Sequence, residues 1–81
     1  MKNIETVIQE LTLLLMYVSS WEEPPSGAQK AWKGFSYEAM DGLLQDELIS
    51  SKKADKTVTL TKDGIATAKS LLQEYGIQIG E

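Results

Sequence analysis

Residues 22–36 read Glu22-Glu23-Pro24-Pro25-Ser26-Gly27-Ala28-Gln29-Lys30-Ala31-Trp32-Lys33-Gly34-Phe35-Ser36. Proline has no N–H to donate and biases the residue before it away from the α region, so Pro24 and Pro25 end any helix that precedes them. Ser26 with Gln29 three residues later has capping-box spacing, which predicts a brief helix over 27–33 carrying Ala28, Ala31 and Trp32, with Gly34 as its stop. Ser36 is then the N-cap of a further helix over about 37–47, whose apolar residues are Tyr37, Met40, Leu43 and Leu44, followed by Leu48. Two helices joined by a glycine-containing turn make a helix-turn-helix.

Upstream, Ile4, Val7, Ile8, Leu11, Leu14, Leu15 and Val18 follow the three-four spacing of a helix stripe, with Asn3 as N-cap and Glu5 in the first turn. The second half adds Leu13, Met16, Tyr17 and Trp21 around the other side. A helix apolar nearly all round must be covered from two directions, either as the central helix of a small core or with Leu13, Met16, Tyr17 and Trp21 as a homodimer seam.

Downstream, 48–51 and 57–60 are two short strands, with Thr57 and Thr59 outward, Val58 and Leu60 inward, and 52–56 as a basic connecting turn. Thr61 caps a last helix with Ile65, Ala68, Leu71, Leu72 and Tyr75 on its buried side, and Gly76-Ile77 matches a glycine C-cap. The order helix, short helix, helix, hairpin, helix predicts one α+β, mostly α, domain over 1–81: a winged helix-turn-helix with a two-stranded β-hairpin wing.

Composition narrows the function classes. The chain of 81 residues has no cysteine and no histidine, and 8 lysines without arginine stand against 12 acidic residues, for a net charge of −4. Disulfides, thiolate metal sites and the commonest general base are therefore missing. Ser19, Ser20, Ser50 and Ser51 have no histidine to activate them, and Asp46 and Glu47, adjacent on a helix, point in different directions. The expectation is a protein that is not an enzyme and uses no cofactor, metal or small-molecule ligand.

No small-residue cleavage site follows an apolar stretch near the N-terminus, and the longest apolar run, 13–18, is far below the ~20 residues of a membrane span. A cytoplasmic protein without a membrane segment is expected.

The segment from Leu43 through Leu48-Ile49 to Val58-Thr59-Leu60-Thr61-Lys62-Asp63-Gly64 resembles the stretch from third helix through wing to following helix in bacterial winged-helix regulators of the MarR and PadR type. The chain as a whole, through Ser19-Ser20-Trp21-Glu22, Lys30-Ala31-Trp32-Lys33-Gly34-Phe35, Leu48-Ile49 and Leu60-Thr61-x-x-Gly64, is similar to a small bacterial domain family of unknown function. The first resemblance implies a DNA-binding fold; the second implies no activity.

A duplex reader of this kind would place its third helix in the major groove. Here that helix turns Glu38, Asp41, Gly42, Gln45 and Asp46 outward and has no lysine, so only Gln45 could read a base. Lys52, Lys53 and Lys56 on the wing, with Lys30 and Lys33 on the short helix, could contact phosphates, or could simply keep a hairpin tip solvated and unpaired. Trp32, among Lys30, Lys33 and Phe35, is either core or an exposed recognition patch. Two readings remain: a self-association or protein-interaction module, with a homodimer or another protein as partner, and a small DNA-binding regulator.

Overall fold

The computed structural model describes residues 2–52 and 54–78. The elements run α1 (Ile4–Ser19), β1 (Trp21–Glu23), β2 (Ala28–Trp32), α2 (Tyr37–Gln45), β3 (Ile49–Ser51), β4 (Thr57–Leu60) and α3 (Lys62–Glu74). All strands pair antiparallel in one four-stranded sheet of order β1-β2-β4-β3.

The three long helices start where the sequence places their caps. Asn3 Oδ1 accepts the Thr6 N–H at 2.8 Å, Ser36 Oγ the Ala39 N–H at 3.3 Å, and Thr61 Oγ1 the Gly64 N–H at 2.9 Å. α3 ends on Gly76, whose φ of +69° lets the Ile77 N–H reach the Leu72 carbonyl at 2.8 Å.

The helix expected over 27–33 is not formed, and with it the helix-turn-helix is lost. Its capping-box residues have other partners: Ser26 Oγ accepts the Ala28 N–H at 3.3 Å inside the turn, and the Gln29 amide donates to Ser20 Oγ at 2.6 Å. An isolated helix of that length is marginal, whereas β2 gains a hydrogen-bonded neighbour on each side, pairing Glu22 with Gln29 and Ala31 with Val58. The proline pair thus turns a hairpin, with the Gly27 N–H on the Glu23 carbonyl at 2.9 Å. The two-stranded wing is half of a four-stranded sheet.

The helices cover one face of this sheet. α1 lies in the middle, against β2, with α2 on one flank and α3 on the other. The core between the layers is Leu13, Leu14 and Met16 of α1, Met40 and Leu43 of α2, Ala68 and Leu71 of α3, and Ala31, Ile49, Val58 and Leu60 of the sheet. Leu13 and Met16 are 1% and 0% exposed, so the chain's own core takes them, and they do not form a seam toward a second copy. Tyr17 is half-buried against the same core. Trp21 has left the helix altogether and opens β1.

Candidate functional site

Residues opposite one another on neighbouring strands share a face. With Ala31 and Val58 turned to the helices, the opposite face carries Trp21, Lys30, Thr59 and Ser50 in one cross-strand row and Trp32 with Thr57 in the next. Trp21 and Trp32 sit diagonally across β1 and β2 with ring centroids 5.2 Å apart and planes at 44°, a tilted aromatic pair. Trp32 is still 61% exposed, so its outer surface is open.

The structure gathers most of the lysines singled out in the sequence at the β3–β4 end of this face. The Lys33 N–H donates to the Lys56 carbonyl at 3.0 Å and Lys33 Nζ donates to the Lys52 carbonyl at 3.1 Å. One trough of about 290 Å³ runs between Lys30, Ser50, Lys52, Asp55, Thr57 and Thr59. A wider one of about 700 Å³ is lined by Trp32, Lys33, Tyr37, Asp55 and Lys56. Tyr37, at the start of α2, is 87% exposed.

Lys30 Nζ lies 3.9 Å from Glu23 Oε2; among the described residues Lys33, Lys52 and Lys56 make no ion pair. Lys53 lies outside the described residues. Gln45 closes α2 as an exposed residue and lines neither trough.

A second surface lies on the helical side. The large apolar side chains that α1 leaves in water are Ile4, Ile8, Leu11, Leu15 and Val18, each between 45% and 70% exposed. Their spacing alternates four and three residues, which keeps them on one straight stripe, an arc of about 80° at 3.6 residues per turn. No charged or polar residue falls within that arc. The core residues Leu13 and Met16 are on the opposite side of the helix, so the stripe faces away from the sheet.

Beside the stripe, α1 is tied to the end of α3 by a polar cluster. Lys2 Nζ is 2.7 Å from Glu10 Oε1 and 2.5 Å from Glu74 Oε1, and Tyr75 Oη donates to Glu10 Oε1 at 2.9 Å. The hydrogen bonds to Glu10 and Glu74 hold the Lys2 ammonium above the ordinary lysine range. For Glu10, partial burial pushes the carboxyl up, and the hydrogen bonds from Lys2 and Tyr75 together pull it below its ordinary value. The Tyr75 phenol is raised, first by its bond to Glu10 and then by desolvation. This cluster is a structural clasp between the start of α1 and the end of α3.

Among the described residues no group of three or more acidic side chains is placed to hold a metal ion, and no helix is long and apolar enough to cross a membrane. The exposed stripe was visible in the sequence as the four-three alternation of Ile4, Ile8, Leu11, Leu15 and Val18, a pattern that marks a shared face without saying what covers it.

No curated protein and no solved structure matches the chain, and the likeness to MarR and PadR regulators finds no support. Residues 4–78, which hold the whole α1-to-α3 arrangement, match the family model described as a domain of unknown function, DUF6429, and the chain belongs to that family.

Proposed function

We propose that this domain is a non-enzymatic self-association module in which α1 packs against α1 of a second copy. The observation that carries this reading is the uninterrupted aliphatic stripe Ile4, Ile8, Leu11, Leu15 and Val18 on the side of α1 turned away from its own core. Half-exposed, five side chains of this size leave about 500 Å² of apolar surface in water, the upper part of what a monomer ordinarily carries. Two copies cover about 1,000 Å² between them, the lower bound of a specific interface. Alternating four-three spacing is the pattern by which one helix faces another along its length, and an identical stripe on each partner gives a closed two-fold pair. Leu11, at the middle of the stripe, lies at the centre of the contact whichever way the helices run.

The chain contains no cysteine, so a single Leu11→Cys is an unambiguous reporter. Mild oxidation is expected to link most of the protein as a dimer, whereas Gln73→Cys, on the exposed side of α3, should cross-link only slowly. Equal, slow cross-linking of both would contradict the pairing.

A second reading, a duplex-DNA regulator, draws on the gathering of Lys33, Lys52 and Lys56 at one end of the sheet. α2 weighs against it, since Glu38 and Asp41 are exposed and the helix has no lysine to meet a phosphate backbone.

A further inference from the structure

We infer that the open sheet face, with the trough between Trp32 and Tyr37, binds single-stranded nucleic acid. The sheet face lies opposite the helical layer, and the trough at its end, which Tyr37 reaches from the start of α2, is lined by none of the α1 stripe, so the inference goes beyond self-association and holds for one copy or two. Two exposed aromatic rings line one trough, Trp32 at 61% and Tyr37 at 87% exposure. Trp21 packs on the other side of Trp32 at 5.2 Å, which limits the freedom of the indole and holds it as a platform. Bases offer a π-face to such rings regardless of sequence.

Charge selects the partner. Lys33 and Lys56 stand in the same trough as the rings, Lys30 and Lys52 in the adjoining one, with Asp55 between the two and Glu23 beside Lys30. Lysines thus outnumber acids here, although the whole chain carries a net charge of −4 and its other surfaces are dominated by carboxylates. Among the described residues this excess of lysine over acid favours a polyanion at this face. The hydroxyls of Ser50, Thr57 and Thr59 add hydrogen-bonding groups for phosphate or sugar oxygens along the same path. A duplex keeps its bases stacked on one another and presents nothing for Trp32 and Tyr37 to hold; a single strand offers bases and phosphates together.

The test is fluorescence anisotropy of labelled oligo-dT, single-stranded RNA, the corresponding duplex and polyglutamate, titrated with the protein at several salt concentrations. Single strands should bind, with a log-log salt slope of about −2 to −3 for three to four lysine contacts. Trp32→Ala should weaken binding by about 5- to 150-fold, the range of one lost base stack. The double variant Lys33→Glu, Lys56→Glu should abolish it, with the circular dichroism spectrum unchanged in both. Absence of single-strand binding at low salt would overturn the inference. So would equal affinity for duplex or polyglutamate, or full affinity in Trp32→Ala, each of which would reduce the surface to a basic patch. A parent chain that stays monomeric yet binds single strands would leave this inference standing and overturn self-association, and a parent chain that dimerises yet binds no single strand would overturn this inference and leave self-association standing.

Discussion

The carbonyl oxygen of Leu48 occupies the space into which a β-carbon on Gly64 would project. The approach is enforced from both sides of the α2–β3 junction: the Thr61 N–H donates to that same carbonyl at 3.1 Å, and Thr61 Oγ1 donates to the Glu47 carbonyl at 2.8 Å while accepting the Gly64 N–H. The Leu60-Thr61-x-x-Gly64 element is therefore a clasp in which one threonine caps α3 and pins the turn before β3, and the glycine lets backbone meet backbone.

Gly64→Ala should consequently destabilise the domain by about 1–3 kcal/mol or more, because the obstacle is backbone and must move with its strand. Gly42→Ala is the control. There the β-carbon would meet the end of the Gln9 side chain, which can swing away from its hydrogen bond to Asp46, and helix propensity gains up to about 1 kcal/mol. Thermal melts of the two variants should separate by about 10 °C or more for a domain of this size.

Leu13 and Leu15 are two residues apart on α1 and have opposite surroundings. Leu13→Ala should cost about 2–5 kcal/mol at any protein concentration, since it opens a cavity in the core. Leu15→Ala should leave the monomer nearly unaffected, and its melting temperature should fall below that of the parent only where the parent is dimeric, so the difference grows with concentration. Chemical denaturation at two concentrations a hundredfold apart checks both.

Glu10 supplies a pH dependence of known sign. Its carboxyl titrates below the ordinary value of 4.5 in the folded chain, so it contributes stability above that pH, and the contribution is lost as pH falls through the folded value. Between about pH 5 and pH 3 the parent should lose stability more steeply than Glu10→Gln, in which the bonds from Lys2 and Tyr75 no longer depend on that proton. Identical slopes in the two proteins, measured by urea denaturation across that range, would show that the clasp adds nothing.

Local signals in the sequence are clear where one residue determines one contact. Asn3, Ser36 and Thr61 each have a side chain that can accept a helix N–H, and all three do. The strands of the second hairpin follow from alternation of Val58 and Leu60 with two threonines, and they fall where that alternation puts them. The segment 22–32 is different, because Ser26 and Gln29 satisfy a helix cap and a turn equally well by spacing, and only the hydrogen-bonding edge of β4 decides for the strand. The orientation of α1 is a consequence of the same ambiguity. With β1 and β2 unassigned, nothing in the sequence says which element covers Leu13 and Met16, so core and homodimer seam stay open for them; the two strands complete the sheet that covers them and leave the four-three stripe in water. The lysine cluster has a similar origin: Lys33 and Lys52 are far apart in sequence and meet because β4 pairs with β2 on one side and with β3 on the other.

Sedimentation equilibrium of the parent chain and of Leu11→Glu tests the pairing through α1 most directly. Leu11 is about half exposed, so the charge can be placed without entering the core. The parent is expected to approach twice the 9.0 kDa chain mass as concentration rises, and Leu11→Glu to stay at the single-chain mass with an unchanged circular dichroism spectrum. A parent chain that remains a monomer at concentrations of about 100 μM, or a Leu11→Glu variant that dimerises as well as the parent, would contradict it.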